Sequence, residues 1–361
     1  MPPSSSPAEV PEAETLMPSL PDDVSLNILA RVPRSHHPSL CQVSKAFRYL
    51  ISSTDFFTTR RLLGSTDPSL YLTIRTNASP SFLSFTLQNR PRRRLVPIRP
   101  IPSSCIGSAY AVLGPELYVL GGSHNDVTSS RVWILDCRFN TWRLGPSMRV
   151  AREFAAAGVI DNKLYVMGGC IADTWARAAN WAEALDPRTG TWTAVASPAE
   201  VREKWMHASA VVDGKLYAMA DRGGFAYDPW KEEWVPAESE LDNGWRGRAC
   251  VVDGILYCYD YLGKIRGFDW GEGAWKVLKG VEKGLPRFLC GATMVNMGGN
   301  LVVVWEGKEV IGNRKEMEVW CAEIEVRKDW DGELVGEILW SEAVLTVPFR
   351  STVIQCVAVA L

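Results

Sequence analysis

Histidine and cysteine are the side chains best able to hold a metal or attack a carbon, so their spacing sets the first limits. The chain has four histidines, His36, His37, His124 and His207. The first two are adjacent. The other two stand alone at the ends of apolar runs, where a hydrogen-bonded structural role suits them. Nine cysteines, Cys41, Cys105, Cys137, Cys170, Cys250, Cys258, Cys290, Cys321 and Cys356, are scattered with no Cys-x-x-Cys pair. Zinc needs clustered thiolates and imidazoles, so the expectation is no metal and no cofactor. An odd, dispersed cysteine set also argues against a disulfide framework and for a reducing compartment. Several lie within apolar runs, where a reduced thiol acts as a small hydrophobe. There is no Gly-x-Ser-x-Gly elbow and no phosphate-cradling loop. The chain reads as one that performs no covalent chemistry.

What remains is recognition. Arginines and aromatics supply most hot spots of protein interfaces. Candidates here are Arg149, Arg152, Trp175, Arg177, Trp205, Arg222, Trp245, Arg246, Tyr261, Arg287 and Phe288. All fall between apolar runs, so their grouping depends on the elements that carry them.

Those elements repeat. Residues 156–169 read A-A-G-V-I-D-N-K-L-Y-V-M-G-G, then Ala184-Leu185-Asp186-Pro187 and Trp192 follow. Similar phrases occupy 111–122 with Trp142, 210–219 with Trp234, and 250–257 with Trp275. A worn copy has Met297 to Leu301 and a Trp at 340. Each copy holds four short apolar runs separated by turn residues such as Asp161-Asn162. Four strands recurring at about 50 residues resemble the blade of a kelch-type β-propeller. An earlier set, Leu70–Ile74, Phe82–Leu87 and Leu95–Ile98, lacks a first strand. Val353–Val359 supplies it, so the C-terminus is expected to close a six-bladed ring and leave no open edge. Glu318–Val326 and Leu334–Leu339, joined at Asp331-Gly332, predict a last blade that projects beyond its neighbours. In such a blade the loop entering strand one and the loop between strands two and three share an end. That places the eleven candidates at one mouth. The alternative is that each Arg braces its own blade. Kelch-type copper oxidases need His and Tyr ligands, and the four histidines do not supply such a set.

Upstream, the pattern becomes helical. Pro21 with Asp22 and Asp23 suits a helix start, and Pro33 a stop. Val24, Ile28 and Leu29 are expected on one face. Val43, Phe47, Leu50 and Ile51 mark a second apolar face, followed by the caps Ser52-Ser53-Thr54. Phe47 and Ile51 are expected to fill the core. The text L-P-D-D-V-x-x-x-I-L-A-R-V-P followed by V-S-K-A-F-R-x-L-I-S-S-x-x-F resembles an F-box. An F-box followed by kelch repeats resembles the plant F-box/kelch-repeat family, over residues 18–361. The fold class implied is a small all-α unit followed by an all-β propeller, with boundaries 1–17 (disordered tail), 18–64 (F-box) and 65–361 (propeller). The resemblance implies a non-catalytic substrate receptor. The F-box would bind a Skp-type adaptor, and through it cullin and RING subunits, by Leu20, Pro21, Ile28, Leu29, Val32 and Val43. The propeller would hold a target protein for ubiquitination. Two other readings stand beside it, a propeller enzyme and a scaffold or small-molecule binder without ubiquitin transfer. Iron-dependent kelch specifier proteins carry no F-box, so the helical block speaks against that variant.

A net charge of −2 gives no global pull towards nucleic acid or anionic lipid. The segment 20–64 carries six basic residues against three acidic ones. The run Arg90–Arg94 suits either nuclear import or a solvated turn. No apolar run reaches transmembrane length, so cytoplasm and nucleus are the expected locations and no membrane partner is expected.

Overall fold

A computed structural model describes residues 16–76, 82–88, 92–103, 105–171, 173–221, 223–260, 262–289, 291–307 and 316–361. The sequence expectation of a disordered tail falls on residues outside this set, apart from the last two. Two compact units are present, Met1–Asp67 with Leu361, and Pro68–Ala360.

The first unit holds α1 (Asp22–Ala30), a 3-10 turn (Arg34–His36), α2 (His37–Leu40), α3 (Lys45–Ile51) and α4 (Thr54–Leu62). Asp22 and Asp23 occupy the first turn of α1, where the helix dipole favours acids. Ser44 and Ser53 cap α3 and α4 by accepting the N–H groups of Phe47 and Phe56 at 3.1 and 3.2 Å. Helix α1 ends at Ala30, ahead of Pro33. Leu29, Ala30, Phe47, Ile51 and Phe56 form the core, each large side chain contributing roughly 1.5–3 kcal/mol. Arg60 is wholly buried beside them. Its guanidinium donates to the carbonyls of Ala30 and Val32 and pairs with Asp67 at 2.9 Å, so the charge is not stranded.

Among the described residues the second unit holds six four-stranded antiparallel sheets and one short two-stranded hairpin. The first runs Thr352–Ala360, Pro68–Arg75, Phe82–Gln88, Arg94–Ile98, so the C-terminal strand supplies the innermost position. The inner strands of blades two to six begin at Ala109, Ala156, Met206, Cys250 and Thr293. Each inner strand touches the next, and the sixth touches the first, so the ring closes. The cores lie between neighbouring sheets, as between blades two and three, where Leu120, Val132 and Ile134 meet Leu164, Val166 and Leu185.

The repeated letters have identifiable duties. The inner hairpins turn through Asp161-Asn162, Asp213-Gly214 and Asp253-Gly254, all with positive φ, as a two-residue type I′ turn demands. At the outer turns Asp136, Asp186, Asp228 and Asp269 each accept the N–H two residues on. The indole N–H groups of Trp142, Trp192, Trp234 and Trp275 donate to Arg99, Pro146, Ala196 and Glu240 at 2.7–2.9 Å. Each acceptor lies just beyond the last strand of the preceding blade, so every Trp pins its sheet to its neighbour. Trp340 differs, donating to Glu323 within its own blade.

The last hairpin, Glu316–Lys328 with Leu334–Pro348, is far longer than the four- or five-residue outer strands elsewhere. It lies along blade five, where Gly336 N–H donates to Lys279 O at 2.8 Å, Lys279 N–H donates to Leu334 O at 2.9 Å, and Lys328 pairs with Asp269. Within the basic run, Arg90 lies outside the described residues. Arg93 stacks over Trp340 and pairs with Glu342 at 3.0 Å, joining blades one and six. Among the described residues all eight cysteines are free. Burial pushes the thiols of Cys170, Cys250, Cys321 and Cys356 up, and that of Cys258 to about 11. Among the described residues no helix is long and apolar enough to cross a membrane.

Candidate functional site

Antiparallel strands put the loop entering each blade and the loop between its second and third strands at the same end of the ring. Exposed large apolar side chains collect there. The entering loops present Ile106, Phe154, Trp205, Phe288 and Phe349, and the second set presents Val127, Ile171, Trp175 and Leu262. Every blade contributes at least one. The turns at the opposite end show Phe139, Trp230 and Trp330 among the described residues. Apolar surface gathered at one end marks an interaction face.

The loops of this face are clasped to one another. Phe154 N–H donates to Gly107 O at 2.6 Å, and Gly122 N–H to Arg152 O at 2.8 Å. Glu153 N–H donates to Gly169 O at 2.9 Å. A side chain at Gly169 would stand 2.3 Å from Glu153 O, and its φ is +70°, so only glycine fits there. Helix α5 (Trp175–Ala179) is capped by Thr174 and lifts Trp175 into solvent at 85 % exposure. Helices α6 (Ala199–Arg202) and α7 (Ser239–Gly244) shape the next two entering loops. Asp242 of α7 accepts Gly224 N–H at 2.8 Å, tying blade five to blade four.

Near the axis, Arg248 reaches across blade six to the Val353 carbonyl of blade one, at 3.4 Å. Burial lowers its pKa, with Tyr110 and Tyr259 opposing that shift. Burial likewise pushes the Tyr110 phenol up to about 12. The Arg248 bond joins blade five to blade one. No cluster of three or more His, Cys, Asp or Glu suited to a metal occurs among the described residues. The side chain of His207 lies outside that description.

The structure separates the eleven candidate residues. Arg149, Trp175, Arg177, Trp205, Arg287 and Phe288 are exposed on the face. Arg177 pairs with Asp173 at 3.1 Å, and Arg287 stacks over Phe288. Arg222 and Tyr261 fall outside the described residues. Arg152 and Trp245 correct the sequence reading, since both are wholly buried. Arg152 donates to the carbonyls of Gly168, Asn180 and Trp181 and pairs with the equally buried Glu183. Glu183 also accepts the N–H groups of Arg149 and Val150. The pair braces blade three and cannot meet a partner. Trp245 fills the space beneath α7 and donates to Gly247 O. Arg246 is half-buried and caps α7 through Asp242 O, Asn243 O and Trp245 O.

The sequence reading missed Ile106, Val127, Phe154, Ile171, Leu262 and Phe349. Each is a lone apolar residue in a loop, and only the ring brings them to one end. It also missed a groove of ≈ 320 Å³ between the loops of blades three and four, bordered by Ile171, Arg202, Lys204 and Trp205.

On the helical unit, Leu20, Pro21, Ile28 and Val43 are exposed, Val43 to 65 %. Val43 and Phe47 border a groove of ≈ 460 Å³ with Met17, Pro18 and Ala46. Val32 is half-buried. Leu29 is a further correction, because at 2 % exposure it belongs to the core and has no surface to offer. The expected shared face of Val24, Ile28 and Leu29 is thus divided, with Val24 and Ile28 in solvent.

Comparison with known proteins matches both units. The pattern described as F-box domain matches residues 17–59, and that described as FKB95, Kelch-repeats domain, matches residues 75–345. The F-box/kelch-repeat protein At4g39550 of Arabidopsis thaliana is 37% identical, over 98% of this chain and 96% of its own. At4g39240 and At4g39580 of the same plant, each an F-box/kelch-repeat protein, are 36% identical over 97% and 95% of this chain, and 92% and 95% of theirs. Among solved structures, that titled "Structure of YjhT" aligns with a TM-score of 0.48 at 15% identity, over 71% of this chain and 91% of that one. With an F-box followed by a kelch propeller, and full-length relatives built alike, this chain belongs to the F-box/kelch-repeat family.

Proposed function

We propose that this protein is the substrate-recognition subunit of a Skp–cullin–F-box ubiquitin ligase. The observation that carries the reading is the pairing of an F-box unit with a propeller whose exposed apolar side chains gather at one end. Leu20, Pro21, Ile28 and Val43, exposed on the helical unit, bind the Skp-type adaptor and through it cullin and RING subunits. The apolar face, with Arg149, Arg177 and Arg287 on it, binds the target protein. The chain forms and breaks no bond itself. Its contribution is to hold target lysines near a ubiquitin-charged enzyme, converting a collision into an effectively intramolecular step. Cys258, Cys321 and Cys356 suit this role, since they are buried, burial raises their pKa, and a protonated thiol does not carry ubiquitin.

The test is reconstitution. The protein is combined with a Skp-type adaptor, a cullin, a RING subunit and a target enriched on its propeller. The expected result is ubiquitin on the target only when the full chain is present. Ubiquitin transfer that proceeds equally without the helical unit would refute the proposal.

A further inference from the structure

One loop of the apolar face carries a side chain that its backbone does not favour. Phe154 has φ +52°, in the left-handed region where a β-carbon crowds the following carbonyl. The other non-glycine residues at positive φ are polar or charged, and most are Asn or Asp, whose short side chains suit that region. Phe154 is the one apolar side chain among them in the described residues. An Asn or a Gly would serve the turn better, so the phenyl ring is not there for the turn.

Three consecutive N–H groups hold the loop, each on a different segment. Arg152 N–H donates to Ser129 O at 3.1 Å, Glu153 N–H to Gly169 O at 2.9 Å and Phe154 N–H to Gly107 O at 2.6 Å. These bonds fix residues 152–154 between blades two and three, and a disfavoured conformation persists only where its surroundings fix it in this way. Such conformations gather where a protein grips a ligand. The ring lies on Gly107, where a Cβ would stand 2.9 Å from it and where φ is +71°. Glycine thus backs one side of the ring, and its 53 % exposure leaves the rest to solvent. Ile106, the neighbour of Gly107, is 48 % exposed, and its backbone bonds in both directions with Ser123 of the hairpin that carries Val127. Arg152, the neighbouring cation, is turned inward onto Glu183. An aromatic with few rotamers, fixed in advance and set among apolar side chains, has the makings of an interface hot spot.

We propose that Phe154 is the anchor of target recognition, its open ring covered by an apolar side chain of the target that also rests on Ile106. The proposal rests on the apolar face being the target site. It assigns the leading contact of that face to one residue, kept in place at the expense of backbone comfort.

Peptides selected from a displayed random library on the full-length protein supply the probe. The expected selection carries an apolar residue whose replacement by Ala weakens binding about tenfold. Phe154→Asn keeps the left-handed turn and removes the ring. It should melt within about 2 °C of wild type, bind the peptide about tenfold more weakly, and no longer distinguish the apolar peptide from its Ala form. Phe154→Tyr, which keeps the ring, should bind as wild type. A larger drop in the melting of Phe154→Asn would make the ring a brace of the fold and overturn the proposal. So would an apolar preference that survives Phe154→Asn, or a selection that yields none. Trp175→Ala and Phe288→Ala separate the two levels. If they weaken binding and Phe154→Asn does not, the face is the target site and the anchor assignment alone falls. If none of the three weakens binding, the reading of the face falls as well.

Discussion

Arg152 tests whether an arginine in an entering loop braces the fold or reads the target. Arg152→Ala removes a guanidinium that serves three carbonyls, and it strands Glu183 at zero exposure. Breaking a buried ion pair from one side costs about 3–5 kcal/mol. Set against a typical domain stability of about 5–15 kcal/mol, that is a large fraction. Shifts of roughly 2–4 °C per kcal/mol hold for domains of about 150–250 residues, and the longer Pro68–Ala360 unit should sit at the lower end, so melting should fall by several degrees. Tryptophan fluorescence is the assay. None of the 15 tryptophans precedes residue 133, so the signal reports the propeller alone. Arg152→Lys should recover little, because one ammonium cannot span the fork. Arg152→Met combined with Glu183→Gln should recover much of the loss, since no charge is left buried and the amide oxygen still accepts from Arg149 N–H. An Arg152→Ala protein that melts as wild type but loses its target would refute the bracing account.

Truncation after Ser351 removes the inner strand of blade one, with buried Val353, Cys356 and Val359; the open edge and lost burial, at roughly 1.5–3 kcal/mol per large side chain, should leave insoluble protein, read by sedimentation. Leu29→Ala should destabilise the helical unit by about 2–5 kcal/mol, seen in far-UV circular dichroism and protease sensitivity, whereas Val43→Ala should leave the unit folded and weaken adaptor binding in a direct titration. His37 is buried against Phe56, and burial lowers its pKa from 6.5 to about 4 despite the bond to Val32 O, with Arg60 and Arg34 adding to the shift. Its folded pKa lies below the unfolded one, so the unfolded chain binds the extra proton on acidification. The neutral ring's contribution is complete above about pH 6.5 and is lost as pH falls towards 4, and His37→Phe should flatten that slope in urea midpoints measured across this window.

The ring was legible because its periodic residues each perform one local task. Trp142, Trp192, Trp234 and Trp275 recur since each must reach the exit of the preceding blade. Turns such as Asp213-Gly214 recur since the hairpin needs positive φ at both positions. The closing strand was legible as a missing first strand matched by an apolar terminus. Burial within loops was not legible. Arg152 and Arg287 stand in equivalent entering loops, yet one lies under Asn180 and Trp181 and the other is in solvent. What separates them is Glu183, distant in sequence and brought beside Arg152 by strand pairing. Leu29 and Ile28 show the same limit at smaller scale, because adjacent residues point about 100° apart on a helix and α4, through Phe56, decides which is covered. The apolar face escaped notice for a related reason, since a lone Phe or Ile in a loop has no period.

The central claim is that two separate surfaces of one chain hold the adaptor and the target. Paired capture from one preparation measures it most directly, with adaptor and target quantified on wild type, Val43→Asp, and a Phe154→Asp, Phe288→Asp double variant. The account predicts that Val43→Asp loses the adaptor and keeps the target, that the double variant does the reverse, and that both melt as wild type. Loss of both partners in either folded variant, or loss of neither, would contradict it.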